Sequence, residues 1–91
     1  MILRIINRGL TPQTYQDLRL RIDIDRVHPL GLIMHGASEA ENGVVTVAQI
    51  WDEDSYAERF DEDILRPALE ELDLPLSADV KVFPLQHLVT P

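Results

Sequence analysis

The chain has 91 residues, of which 45% are hydrophobic and none is cysteine. These features predict a single domain spanning residues 1–91, and they exclude a disordered chain, a disulfide scaffold and a thiolate metal site. The formal net charge is −8. Nucleic-acid binding needs a basic surface, so we expect no nucleic-acid partner.

The first ten residues are too few and too charged for a signal peptide, and no apolar run approaches the length of a membrane span. We therefore expect a cytoplasmic protein with no membrane partner. The negative charge is concentrated between Asp52 and Asp73, where ten acidic residues and two arginines give a balance of −8. This run is interpreted as the solvated outer face of a helix or, alternatively, as an acidic docking surface.

The first predicted element is a strand from Ile2 to Asn7, rich in β-branched residues and ended by Gly9. Arg4 is a charged residue in the middle of this strand. One interpretation is that its aliphatic stem covers apolar surface or that it pairs at an interface. The other is that it anchors an anion or a carboxylate of a ligand.

A helix is predicted from Pro12 to about Ile24. Thr11 is a suitable N-cap, and proline is favoured at the first helical position because its missing N–H needs no partner there. Tyr15 falls with Leu18 on one face at helical spacing. Tyr15 is therefore either a core residue or a residue whose hydroxyl points into a pocket.

Gly31 to Trp51 reads as a hairpin, because Asn42-Gly43 lies between two apolar runs and suits a two-residue type I′ turn. A turn centred there predicts four cross-strand pairs, which are Glu41–Val44, Ala37–Ala48, His35–Ile50 and Met34–Trp51. Both predicted faces of the hairpin are largely apolar. We therefore expect this hairpin to be covered on both sides, by helices of the chain and by a second copy.

A second helix is predicted after the acidic turn that follows Trp51, with an apolar stripe that includes Phe60. Pro67 predicts a break or kink near Leu65–Arg66, because proline is not tolerated inside a regular helix. The last predicted strand runs from Asp79 to Val89. Pro84 lacks an amide hydrogen for the ladder, which favours a place at a sheet edge or a bulge.

The order of these elements is strand, helix, strand, strand, helix, strand, which is the ferredoxin-like βαββαβ pattern of an α+β protein. Right-handed crossovers place both helices on one face of a four-stranded antiparallel sheet. The other sheet face stays apolar, and we expect a homodimer to bury it.

The sequence resembles the dimeric α/β-barrel proteins, and within them the antibiotic-biosynthesis-monooxygenase-like group. The similar residues are the run from Val47 to Glu53, then Tyr56, Phe60 and the run from Leu65 to Leu69. The resemblance covers nearly the whole chain. It implies a homodimer whose two sheets close into a barrel, with a pocket between sheet and helices in each subunit.

The group includes cofactor-free monooxygenases acting on aromatic molecules, haem-degrading enzymes, isomerases, lyases and proteins of no known activity. The haem-degrading branch has an asparagine at the end of the first strand and a tryptophan and a histidine on the second helix. Asn7 matches the first, but Phe60 and Glu70 stand at the corresponding helix positions. The resemblance therefore does not carry haem to this chain.

His35 is the predicted catalytic residue, because it lies beside two small residues, Gly36 and Ala37, and imidazole serves as acid or base near neutral pH. The alternative is a core histidine that bonds a backbone carbonyl. We predict that Arg4, Asn7 or Tyr15 orients the polar groups of a substrate. Trp51 and His87 are also predicted substrate-binding residues, as a ligand platform and at the pocket mouth, and their alternatives are core packing for Trp51 and a polar rim position for His87. The histidine spacing does not indicate a metal site.

The sequence thus favours a small cofactor-independent enzyme acting on a small apolar or aromatic ligand. Monooxygenase-like chemistry and isomerisation or elimination by proton transfer are both compatible with these residues. The alternative is a non-catalytic ligand-binding or accessory dimeric protein.

Overall fold

The structure is a computed structural model that describes residues 1–39 and 42–89. Its elements are β1 (Ile2–Asn7), α1 (Pro12–Ile22), β2 (Leu32–Glu39), β3 (Val45–Trp51), α2 (Asp54–Phe60), a π-helical segment (Asp61–Leu65), α3 (Arg66–Glu71) and β4 (Asp79–Pro84). The strands form one antiparallel sheet in the order β2-β3-β1-β4. The predicted ferredoxin-like α+β fold is therefore confirmed. Within the described residues, no helix is long and apolar enough to cross a membrane.

Helix α1 begins as the sequence predicts and ends earlier. The Thr11 hydroxyl accepts a hydrogen bond from the Thr14 amide at 3.3 Å, with proline in the first turn. The helix stops at Ile22 rather than near Ile24 because Asp23 takes a left-handed conformation, with φ 62°. A left-handed residue directs the chain out of the helix and satisfies a late carbonyl, here that of Arg19.

The second helical region is continuous and contains a π-helical segment where a break or kink was predicted. Residues Asp61–Leu65 take the wider π turn, and Pro67 follows in the first turn of α3. A proline provides no amide hydrogen, and its ring crowds the carbonyl four residues earlier. The wider turn relieves this conflict, so the helix continues instead of breaking near Leu65–Arg66.

The register of the β2–β3 hairpin differs from the prediction by one residue. His35 pairs with Gln49 rather than Ile50, and Ala37 pairs with Val47 rather than Ala48. Glu39 pairs with Val45, a register that does not place Asn42 and Gly43 at the centre of a two-residue turn. The predicted Glu41–Val44 pair lies outside the described residues.

A β-bulge in β2 lies between Leu32 and Met34, so Leu32 pairs with Trp51 and Met34 with Ile50. The predicted Met34–Trp51 pair was therefore wrong. Directly paired residues share a sheet face, and a shift by one residue exchanges the faces. As a consequence His35 lies on the face of Gln49 and Trp51, which is the face covered by the helices.

The helix-covered face carries two groups of buried side chains. Near α1 and α3 these are Leu10, Leu18, Ala68 and Leu69. Near α2 they are Ile24, Trp51, Ala57 and Phe60, and Trp51 is fully buried. The core therefore lies between the sheet and the two helical regions.

The opposite sheet face is apolar at one end. One row across the four strands contains Met34, Ile50, Leu3 and Phe83, and the row at the other end contains Ser38, Thr46, Asn7 and Asp79. Met34 and Phe83 are exposed, at 48% and 47%. β4 lies at the sheet edge, as Pro84 predicts. The strand ends at Pro84 rather than at the predicted Val89.

Candidate functional site

Three polar side chains form a row across the helix-covered face of the sheet. Gln49 in β3 pairs with His35 in β2 on one side and with Arg4 in β1 on the other. Arg4 and Gln49 are buried, although the neighbouring rows of this face are largely apolar. Buried polar groups require hydrogen-bond partners, so the partners of this row determine what it can do.

Arg4 is held by a carboxylate from the π-helical segment. Its guanidinium donates to the two oxygens of Asp61, at 2.6 and 3.4 Å. This geometry uses both carboxylate oxygens and neutralises a cation that is only 7% exposed. The ion pair therefore joins β1 to the π-helical segment and fixes one end of the polar row.

The contacts of Gln49 determine the orientation of its amide. The Trp51 indole N–H donates to Gln49 Oε1 at 2.9 Å, and Arg4 donates to the same oxygen at 3.5 Å. Indole and guanidinium groups can only donate, so the atom they contact must be the oxygen. Gln49 Nε2 consequently faces His35 Nδ1, at 3.3 Å.

This orientation fixes the tautomer of His35. An amide NH₂ can only donate, so His35 Nδ1 must accept, and in the neutral ring the proton resides on Nε2. Nε2 lies 2.8 Å from the Tyr15 hydroxyl oxygen. His35 therefore donates to Tyr15, and the hydroxyl hydrogen of Tyr15 remains available for another acceptor.

Both groups are neutral around pH 7. Burial lowers the pKa of His35, with Arg19 acting in the same direction and Asp25 opposing. Burial also raises the pKa of Tyr15. A protonated imidazole would in addition direct an N–H at the NH₂ of Gln49. The pair therefore consists of a neutral imidazole and a protonated phenol.

Tyr15 and His35 lie at the wall of a cavity of about 60 Å³ between the sheet and the helices. Gln49 and Arg8 also line it. The rest of the wall is mostly aliphatic and aromatic, and includes Ile6, Leu18, Ile22, Ile24, Val47 and Phe60. An apolar wall with a few polar groups is the usual composition of a small-molecule site, but the enclosed volume is well below the roughly 300–1,000 Å³ of such sites, so an aromatic ligand requires the cavity to widen.

Of the residues predicted from sequence, Tyr15 and His35 come together at this cavity. Arg4 borders a separate open cleft with Asp61. The Asn7 Oδ1 accepts from the Gly9 amide at 3.0 Å, which closes the turn after β1.

The other two predicted residues also lie away from the cavity wall. The Trp51 ring packs on Phe60, with ring centroids 5.5 Å apart. His87 is exposed in the segment after β4. Their roles in ligand binding stay predictions.

Gln49, Arg8 and Asp61 were not predicted from the sequence as site residues. Gln49 alternates with Val47 and Trp51, and Arg8 alternates with Arg4 and Ile6, so strand periodicity alone could have placed both on the inner face. Asp61 has no comparable signal, because it is one of ten acids in its region. In the part of the chain that the structure describes, no three metal-ligating side chains cluster.

The sequence matches no family model and none of the curated proteins compared with it. Solved structures with the same arrangement exist. One is a proposed antibiotic biosynthesis monooxygenase from Deinococcus radiodurans, with TM-score 0.70, 12% identity and coverage of 100% of this chain and 98% of that one.

Two further structures are similar over nearly their whole length. A conserved protein from Methanosarcina mazei Go1 has TM-score 0.68 and 13% identity, with 94% of each chain covered. SnoaB, a cofactor-independent oxygenase from Streptomyces nogalater, has TM-score 0.63 and 12% identity, with 99% of this chain and 95% of that one covered. At these identities the similarity establishes the architecture. The chain has the fold of the antibiotic-biosynthesis-monooxygenase-like α/β proteins.

Proposed function

We propose that this chain is a small cofactor-independent enzyme that binds a small apolar or aromatic molecule between sheet and helices. The observation that carries the proposal is the Tyr15–His35 hydrogen bond, 2.8 Å long, at the wall of an apolar cavity. A neutral tyrosine whose oxygen is already supplied with one donor directs its own hydrogen at a ligand oxygen. The pair is thus suited to polarise a carbonyl or phenol group.

The chemistry expected from this arrangement is stabilisation of an enolate or phenolate. When a water molecule or hydroxide ion takes the proton from the carbon next to a ligand carbonyl, negative charge develops on the carbonyl oxygen, and a pre-oriented donor in an apolar site stabilises it. Tyr15 is that donor. The His35 N–H supports the tyrosine oxygen as its hydrogen is drawn towards the ligand.

An enolate held in this way has two outcomes consistent with the proposal. Return of the proton to a different carbon is an isomerisation. Reaction of the electron-rich carbon with dioxygen is an oxygenation, and the common fold with SnoaB, a cofactor-independent oxygenase, supports this second route. The residues of the cavity serve both routes equally, since both pass through the same charged oxygen.

The second candidate function is non-catalytic binding of the same type of molecule. The observation that favours it is the composition of the cavity wall, which includes no aspartate or glutamate among the described residues. His35 Nδ1 is occupied by Gln49. A dedicated base for proton abstraction is therefore not among the described wall residues, and a binding protein needs none.

The functional unit in this proposal is a homodimer. The outer sheet face exposes Met34 and Phe83 in one apolar row, and burial of such a row is favourable. Native mass spectrometry of the wild type and of Phe83→Glu tests it. We expect a dimer that the charged substitution dissociates, and a wild-type monomer would refute this part.

The test of the site uses 4-nitrophenol, whose absorbance distinguishes phenol from phenolate. A cavity that stabilises an oxyanion should lower the pKa of the bound probe, so phenolate absorbance should rise as protein is added. Tyr15→Phe should weaken phenolate binding about tenfold, the value of one hydrogen bond to a charged group. The control is Tyr56→Phe, the only other tyrosine.

Two outcomes decide between the candidates. Exchange of the α-hydrogens of 2-tetralone in D₂O, followed by NMR, reports enolate formation directly, and an oxygen electrode reports oxygenation. Acceleration by the wild type that Tyr15→Phe abolishes supports the enzyme. Phenolate binding without exchange or oxygen uptake supports the binding protein, and equal binding by the wild type and Tyr15→Phe contradicts both.

A further inference from the structure

Two arginines, Arg8 and Arg19, line the cavity. Arg19 forms an ion pair with Asp25 at 3.4 Å, whereas Arg8 has no such ion pair within the described residues. Arg8 directly follows β1 and continues the inward alternation of Arg4 and Ile6. It lines the apolar cavity that holds Tyr15 and also the neighbouring open cleft that holds Asp61. Arg8 therefore lies between the cavity and the cleft.

Within residues 1–39 and 42–89, Arg8 forms no ion pair, although the negative charge of Asp61 acts on it from a greater distance. Its Nε is buried and has no hydrogen-bond partner. Five other arginines, Arg4, Arg19, Arg21, Arg26 and Arg66, form ion pairs with described carboxylates. Arg59 does not, but it is exposed on α2 and reaches water. Arg8 alone among the arginines of the described chain combines partial burial with the lack of an ion pair.

In the absence of a ligand, the partly buried guanidinium of Arg8 destabilises the folded state. Burial lowers the pKa of the Arg8 guanidinium, an effect that the negative charge of Asp61 opposes and the positive charge of Arg4 reinforces. Removing a cation from water without a partner destabilises the folded state, whereas an apolar residue would fill the same place without that penalty. A ligand that brings a negative charge would provide the missing partner.

We propose that Arg8 binds an anionic oxygen group of the ligand, so the ligand class is small aromatic or apolar acids with a carboxylate. The apolar wall takes the body of the molecule, and the guanidinium matches the planar carboxylate with two donors. This inference rests on the proposed function only in taking the cavity as the ligand site. Beyond the proposed function, it assigns Arg8 as a specificity-determining residue and a negative charge to the ligand.

The net charge of the protein makes the proposal testable without any variant. A chain with formal charge −8 repels anions at long range, so an anion should bind less well than a neutral isostere unless a local cation reverses the preference. Benzoate and benzamide have nearly the same shape and differ in charge. Titration of ¹⁵N-labelled protein with each compound measures both affinities and locates the binding site by chemical-shift changes.

We expect benzoate to bind about tenfold more tightly than benzamide, with shift changes at Tyr15 and His35. Arg8→Gln should abolish this preference while leaving benzamide binding unchanged, and Arg8→Lys should retain part of it. The control is Arg59→Gln, which removes an exposed arginine without an ion pair, and it should behave as the wild type.

The outcomes separate this inference from the proposed function. If benzamide binds at the cavity and benzoate gains nothing from Arg8, the role of Arg8 is refuted and the cavity stands as a ligand site. If neither compound shifts any residue of the cavity wall, both the inference and the ligand site are refuted. Equal preference for benzoate in Arg8→Gln and the wild type likewise refutes the role of Arg8.

Discussion

Replacing Gln49 by glutamate tests the reasoning that fixes the proton on His35. In the wild type the NH₂ of Gln49 faces His35 Nδ1 at 3.3 Å, which requires Nδ1 to accept. A carboxylate at the same place can only accept. Nδ1 of His35 must then carry a proton in Gln49→Glu. In the neutral ring, Nε2 would become an acceptor for the hydroxyl of Tyr15, and this hydroxyl would no longer be available to a ligand.

The expected magnitude follows from the new hydrogen bond. A hydrogen bond between a carboxylate and an imidazolium N–H contributes about 1.5–3 kcal/mol, which corresponds to a rise of about one to two units in the pKa of His35. Burial lowers the pKa of this residue in the wild type. The substitution should therefore move the pKa of His35 upwards relative to the wild type. The indole N–H of Trp51 and the guanidinium of Arg4 can still donate to the carboxylate.

Long-range ¹⁵N–¹H NMR of the imidazole rings provides the assay, because protonated and unprotonated ring nitrogens resonate at different frequencies. We expect a proton on Nε2 of His35 in the wild type and on Nδ1 in Gln49→Glu, with a higher pKa in a pH titration. Gln86→Glu is the matched control, since Gln86 is exposed after β4. A wild-type His35 with its proton on Nδ1 would refute the amide orientation and the donor role of Tyr15.

Three further predictions concern stability and are measured by thermal and urea unfolding. Gly31→Ala should lower the free energy of unfolding by about 2–4 kcal/mol, because Gly31 has φ +83° and a Cβ there would lie 2.4 Å from the Tyr56 ring. Gly36 has open space around it, so Gly36→Ala should change the free energy of unfolding by less than about 1 kcal/mol. Asp61→Asn should cost about 2–3 kcal/mol, because it removes the charge that compensates the buried guanidinium on β1. Lowering the pH through 6.5 should destabilise the wild type relative to His35→Gln, because the unfolded chain takes up the His35 proton at a higher pH than the folded chain. Equal loss of stability in the two glycine variants would contradict the first prediction. Unchanged stability in Asp61→Asn would contradict the second, and parallel pH profiles of the wild type and His35→Gln would contradict the third.

The element order could be predicted from sequence because local chemistry specifies it. The pair Thr11-Pro12 is typical of a helix start, with threonine as N-cap and proline in the first turn, and both residues have these positions in α1. Pro84 excludes a central strand position, and β4 is an edge strand. The nature of the interruption before Pro67 could not be predicted, since a kink, a break and a π turn all relieve the same steric conflict.

The hairpin register could not be predicted because it depends on the length of the connection, and Asn42-Gly43 is compatible with more than one. The two-residue turn requires positive φ at both positions, but only Gly43 has it, with φ +78°. The bulge between Leu32 and Met34 could not be predicted either, because an uninterrupted apolar run contains no signal for its position. Both features are associated with tertiary contacts: Leu32 packs against the buried cluster near α2, and the Val45 amide donates to the Leu10 carbonyl at 2.8 Å.

The chemistry of the site depends on the one-residue difference between the predicted and the observed pairing of β2 with β3. In the predicted pairing His35 faces Ile50, and its ring would lie on the outer sheet face with no donor beside it. In the observed pairing it lies beside Gln49, whose amide is oriented by Trp51. The tryptophan that the sequence suggested as a ligand contact therefore acts on Tyr15 through two intervening side chains, Gln49 and His35. A core residue and a site residue thus form one hydrogen-bonded chain, and substitution of Trp51 by phenylalanine should loosen the Gln49 amide and allow both tautomers of His35.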